Sequence, residues 1–156
     1  MPNDCYNYLE APDGDVSLIA DYFSSRKCKF SPFPDTYLNF EKIIPYPDKK
    51  SRNDNWRSDN WGTKWNSYDG QVTEDAIRFY TAWAPPTPIV GALAKLIGKP
   101  LRLIYDEPGI DFCGEVLGYE DGTYYNNEYA PRSDAPQELK DDLMIDEEKE
   151  LNENYK

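Results

Sequence analysis

The chain has 156 residues, with 29 Asp and Glu against 17 Lys and Arg and a formal net charge of -12. It contains no histidine, which excludes Ser-His-Asp and Cys-His catalysis and the commonest zinc-ligand sets. So acidic a surface repels phosphate backbones and anionic lipids, making nucleic acid and membranes poor first partners and a protein with a basic surface a better one.

A chain of this length is expected to form one domain and to bury about 68–70% of its unfolded surface. Its aromatic content of 15%, led by 13 Tyr, predicts a core with polar edges. Residues 5–11, CYNYLEA, alternate apolar or aromatic with polar side chains and read as a strand. After the break at Pro12-Asp13-Gly14, DVSLIADYFSS sets Val16, Ile19, Ala20 and Phe23 at helical spacing. With Asp13 or Asp15 as N-cap, this predicts an amphipathic helix. KFSPFPDTYL reads as a proline-broken loop, and residues 39–47, NFEKIIPYP, as a short strand ended by proline. Residues 53–61 lack Pro and Gly and put Trp56 and Asn60 on one helical face, with Gly62 as C-cap and TKWNSY leading away extended. Residues 76–86 alternate Ile77, Phe79, Thr81 and Trp83 against Arg78, Tyr80 and Ala82, a strand pattern. Pro85 and Pro86 then open a helix whose apolar set is Ile89, Val90, Leu93, Leu96 and Ile97, closed by Gly98. Residues 100–107 and 111–120 are two further strands joined by a Pro-Gly-Ile turn. Asp121-Gly122 marks a hairpin into a strand over 123–129.

From 136 to 156 the chain carries eight acidic and three basic residues, a contribution of -5. Leu139, Leu143 and Leu151 keep helical spacing there. The expected organisation is therefore one domain over 1–134 and an acidic helix or tail over 135–156. The tail is expected to be separable, unless Leu139 and Leu143 dock it. Strands and helices mix without a strict βαβ repeat, which indicates α+β: helices on one face of a mostly antiparallel sheet.

The stretch NDNWRSDNWGTKWN holds three of the four tryptophans in a polar setting. Two readings stand. Trp56, Trp61 and Trp65, with Arg57 and Lys64 beside them, form a face for stacking a base or clamping a peptide. Alternatively Trp56, Trp65 and Trp83 are mostly buried as core, leaving Trp61 more exposed. At YDEPGID, Asp106, Glu107 and Asp111 surround one turn, a pattern shared by oxygen-ligand sites for Mg²⁺ or Ca²⁺ and by ordinary solvated turns. No phosphate-binding glycine loop occurs, and no cofactor is expected. Cys5, Cys28 and Cys113 form an odd set without CxxC spacing, as free thiols of a reducing cytoplasm do. The start, MPNDCYNYLEAPDG, is polar from residue 2, and no stretch approaches the roughly 18 apolar residues of a membrane span. A soluble cytoplasmic protein is expected.

Three blocks, WRSDNWGTKWN, FYTAWAPPTPIV and YDEPGIDFCGEVLGYEDG, carry a resemblance. Through Asn60-Trp61-Gly62-Thr63-Lys64-Trp65, Thr81-Ala82-Trp83 and Glu107-Pro108-Gly109 before Phe112-Cys113-Gly114, the chain resembles the YubB-like proteins of plasmids, phages and other mobile elements. The resemblance implies a ferredoxin-like α+β sandwich. It implies no iron–sulfur cluster, since three scattered cysteines cannot supply four thiolates. The leading expectation is a non-enzymatic, acidic protein-binding factor of a mobile element, in its specific form an inhibitor of a host defence complex such as an anti-CRISPR. Glu107, Asp111, Glu120 and Asp121 are its expected contacts with a basic host protein. The alternatives are a small-ligand or nucleotide-binding domain using the tryptophan stretch and a carboxylate enzyme using a divalent metal.

Overall fold

The computed structural model describes residues 3–27, 32 and 34–145. Its strands are β1 (Asp4–Glu10), β2 (Phe23–Arg26), β3 (Asp35–Leu38), β4 (Tyr68–Val72), β5 (Ala76–Ala82), β6 (Leu101–Glu107), β7 (Phe112–Gly118) and β8 (Tyr124–Tyr129). Among the described residues three α-helices accompany them: α1 (Asp54–Trp61), α2 (Thr87–Ile97) and, after β8, α3 (Gln137–Asp142).

Six strands form one antiparallel sheet in the order β4-β5-β1-β6-β7-β8, and β2 and β3 form a separate hairpin. The strand β1 lies inside the sheet, with Asn7 opposite Phe79 of β5 on one side and Tyr105 of β6 on the other. Strands β5 and β6 flank it in parallel, joined by α2, while α1 lies in the connection from β1 to β4. The series β1-α1-β4-β5-α2-β6 is thus a ferredoxin-like βαββαβ unit, extended at the β6 edge by the β7–β8 hairpin.

Alternation sorts the side chains between two faces. Cys5, Leu9, Ile77, Phe79, Leu103, Tyr105 and Val116 point to the face covered by α2, where Ile89, Val90, Leu93 and Ala94 complete the main core. Gly118 admits α2 this closely: a Cβ there would lie 2.5 Å from the Val90 carbonyl oxygen. The opposite face carries a smaller core of Ile104 and Cys113 beneath Ala135, Leu139 and Leu143. The acidic C-terminal segment therefore begins as a helix docked on the sheet, with Leu139 and Leu143 buried, and residues 146–156 lie outside the described residues.

Most expected elements occur, with three differences near the start. Residues 15–25 make no α-helix: short 3-10 turns at Pro12–Gly14, Val16–Leu18 and Ala20–Tyr22 lead into β2. Only Ile19 of the expected apolar stripe is fully buried, too little to hold an eleven-residue helix that is marginal alone. The expected strand over 39–47 is instead a 3-10 turn, Phe40–Lys42, because the Asn39 side chain accepts a hydrogen bond from the Glu41 amide and caps it. Part of the expected proline loop is β3, which pairs with the strand before it, β2, as a hairpin. No helix among the described residues is long and apolar enough to cross a membrane.

Candidate functional site

The tryptophan stretch folds as a short helix with a fixed exit. The Asn53 side chain accepts a hydrogen bond from the Trp56 amide at 2.8 Å and caps α1. Gly62 closes it at φ 80°, a left-handed conformation that glycine adopts without strain. This exit turns Trp61 inward, where it is fully buried against Phe40, Tyr46 and Trp56 and its indole N–H donates to the Ile44 carbonyl at 2.8 Å. Trp56 is half-buried, its ring 4.8 Å from that of Tyr46. Arg57 anchors the loop beyond: its Nε donates to the Lys64 carbonyl at 2.6 Å while its guanidinium pairs with Asp54. Thr63 donates to the Trp65 carbonyl at 2.6 Å.

The expected burial order of the tryptophans is reversed. Trp61, expected at the edge, is the most buried of the four, while Trp65 and Trp83 are 38% and 42% exposed. For Trp83 the cause is local. Strand β5 ends at Ala82, and Trp83 takes φ 71°, which breaks the alternation that would have turned it inward with Thr81. Its amide donates to the Asn3 carbonyl at 2.9 Å, holding the turn against the start of β1.

Lys64 links the two exposed rings. Its ammonium stands 5.5 Å from the Trp65 ring centroid and 3.8 Å from an Asp54 carboxylate oxygen. It also lines a cleft of about 390 Å³ with Trp83, Ala82, Gly62 and Asn55. On the other side of Trp65 opens a groove of about 620 Å³, bounded by Tyr68, Asn66, Asp69, Asp4 and Arg26. Arg26 donates to the Ser67 carbonyl at 2.9 Å and lies 3.8 Å from the Tyr37 ring centroid, so the β2–β3 hairpin forms one wall. Tyr68 donates to the Asp4 carboxylate. Sequence reading missed Arg26, Tyr68 and Asp4, which come together only through pairings that span 41 and 64 residues.

The acidic set comes apart. Glu107 is not an exposed contact: it is fully buried, and its carboxylate accepts from the Gly109 and Ile110 amides at 2.7 and 3.2 Å, holding the β6–β7 turn. Asp106 faces the other side of the sheet and binds the Arg132 guanidinium at 2.7 and 2.8 Å. Asp111 is exposed at the same turn, whereas Glu120 and Asp121 are exposed at the far end of β7. At about 3.3 Å per residue, the seven residues of β7 set these ends roughly 20 Å apart. Asp106, Glu107 and Asp111 therefore do not converge, and no group of three potential metal ligands occurs among the described residues. Cys5 and Cys113 are buried and unpaired, and burial pushes the Cys113 thiol up to about 11; Cys28 lies outside the described residues.

A family model for the ferredoxin-like domain in Api92-like proteins matches residues 60–151, more than half of the chain. The chain belongs to that family. The Api92-like match starts at Asn60, takes in Trp61, Lys64, Trp65 and Trp83, and runs through the six-stranded sheet from β4 onward to include α3. No curated protein and no solved structure gave a match.

Proposed function

We propose that this chain is a non-enzymatic recognition protein that binds another protein through the sheet end marked by Trp65, Trp83 and Lys64. The observation that carries this reading is the exposure of two tryptophans, 38% and 42%, in a fold whose core is complete without them. Exposed Trp is characteristic of an interface anchor, where a few aromatic and Arg side chains supply most of the binding energy. The net charge of -12 favours a partner with a basic surface and speeds encounter with it. With Glu107 buried and the other acids divided between two ends of β7, charge acts here as a field and the aromatic end as the contact. The finer reading extends the resemblance of the three sequence blocks to YubB-like proteins: a phage or other mobile-element factor that blocks a host defence complex, such as an anti-CRISPR. The unpaired thiols Cys5 and Cys113 support a cytoplasmic setting.

The test is capture from host lysate with paired variants. Trp65→Ala and Trp83→Ala should each weaken retention of a specific protein, and the double variant should lose it, with melting temperatures within a few degrees of wild type. Reversing Asp111, Glu120 and Asp121 to Lys should slow association without abolishing the complex. A partner retained at full strength by the double tryptophan variant would end this proposal.

A further inference from the structure

A second set of residues, on the sheet face opposite α2, points to a ligand of a different kind. On that face α3 covers Ile104 and Cys113 on the β6–β7 side, and Tyr6 and Tyr8 pack against the edge of that cluster. Toward the β5 side, four residues of the two adjacent strands form a square: Tyr6 stands opposite Tyr80, and Tyr8 opposite Arg78. All four are half-buried. The Tyr6 and Tyr80 rings meet edge to face at 5.9 Å, Tyr68 of β4 stacks on Tyr80 at 6.3 Å, and the Arg78 guanidinium lies 5.7 Å from the Tyr8 ring centroid.

Arg78 is distinctive within this acidic chain. Arg26, Arg52, Arg57, Arg102 and Arg132 each pair with at least one carboxylate, and Arg102 reaches three. Arg78 pairs with none among the described residues, and its Nε is buried without a hydrogen-bond partner. The carboxylates acting on its neighbour Tyr8 are engaged elsewhere: Glu10 and Asp142 bind Arg102, and Asp75 accepts from Thr73. A half-buried guanidinium left unpaired amid so many acids is a ready receptor for an anion. Burial raises the phenols of Tyr6 and Tyr8, so both remain O–H donors at neutral pH.

We propose that Arg78, with Tyr6, Tyr8 and Tyr80, binds a mononucleotide. The guanidinium takes the phosphate in a charge-assisted pair and the tyrosine rings take the base by stacking. Charge limits the ligand's length. The square offers one unpaired cation, and every further phosphate meets the repulsion of a -12 protein. A longer strand therefore gains nothing over the monomer. This site adjoins the groove beside Trp65 through Tyr68, which stacks on Tyr80, but its proposed contacts include neither Trp65, Trp83 nor Lys64.

The test titrates the full chain with AMP and with UMP, following backbone amide shifts and the heat of binding. Shifts are expected to concentrate in β1 and β5. Arg78→Gln should weaken binding roughly ten- to hundredfold, the loss expected for one charge-assisted hydrogen-bonded pair, and Arg78→Lys should recover part of it. Trp65→Ala and Trp83→Ala should leave nucleotide binding unchanged. Ten-residue single-stranded oligonucleotides should bind no more tightly per molecule than the monomers. The proposal is overturned if millimolar AMP and UMP move no resonance in β1 or β5, or if a folded Arg78→Gln binds as wild type. Oligonucleotides binding much more tightly than the monomer would equally overturn it, in favour of a strand-binding surface.

Discussion

Trp61 shows how one side chain sets the local structure around it. Fully buried among Phe40, Tyr46 and Trp56 and hydrogen-bonded to Ile44, it fastens α1 to the loop that precedes it. Trp61→Ala should cost roughly 3–5 kcal/mol, read from urea melts, while Trp65→Ala and Trp83→Ala should change stability little. The sequence pattern alone could not distinguish these positions. Two tryptophans five apart on a helix do not share a face, and which one turns inward depends on where Asn53 and Gly62 start and stop the helix. Trp83 was equally hidden, because a strand pattern carries no sign of the residue at which alternation ends in a positive φ. The thiols make a second residue-scale prediction. Burial holds the Cys113 proton to about 11 in the folded state, above its ordinary value of 9.0. Between these values the unfolded chain binds fewer protons than the folded one, so stability present below pH 9 should decline toward pH 11. Urea midpoints at pH 8 and 10.5 check the sign, against a Cys113→Ala control with a smaller pH dependence.

At the scale of elements, the strands and α2 were legible because burial on one or both faces imposes clear periods on them. Over β5 to β8 the expected and observed segments nearly coincide. The segment between β1 and α1 was not legible. Three of its 3-10 turns are held by side-chain caps at Asp15, Asn39 and Asp48, and β2 and β3 exist through pairing with each other, neither of which leaves a hydrophobic period. The C-terminal helix teaches a related lesson. Charge made residues from 136 on look like a detachable tail, yet α3 lays Leu139 and Leu143 onto Ile104 and Cys113, and Asp142 reaches Arg102. Removing everything after Asp134 should forfeit about 3–6 kcal/mol of leucine burial, less the chain entropy recovered. A melting temperature lowered by on the order of 10 °C is expected.

At the scale of the whole molecule, the proposed function assigns the -12 charge to long-range encounter and the aromatic end to contact, and salt separates the two. Raising salt from 0.1 to 1 M shortens the Debye length from about 10 to about 3 Å, so association with a basic partner should slow steeply. Dissociation, which the proposed function assigns to Trp65 and Trp83, should barely change; surface plasmon resonance across that range reads both rates. The sheet order carries a consequence in time. Strand β1 is an interior strand of the sheet, yet both its partners, β5 and β6, lie far downstream in the chain. At about 5–20 residues per second of synthesis, the roughly 70 residues separating β1 from β5 take about 4–14 s to appear. Throughout that interval Cys5, Leu9 and the tyrosines of β1 have no strand to pair with and no helix to cover them. The strand that joins the two halves of the sheet is the one that waits longest for them, so the yield of folded protein in a cell depends on how well a nascent chain is shielded before residue 82 emerges.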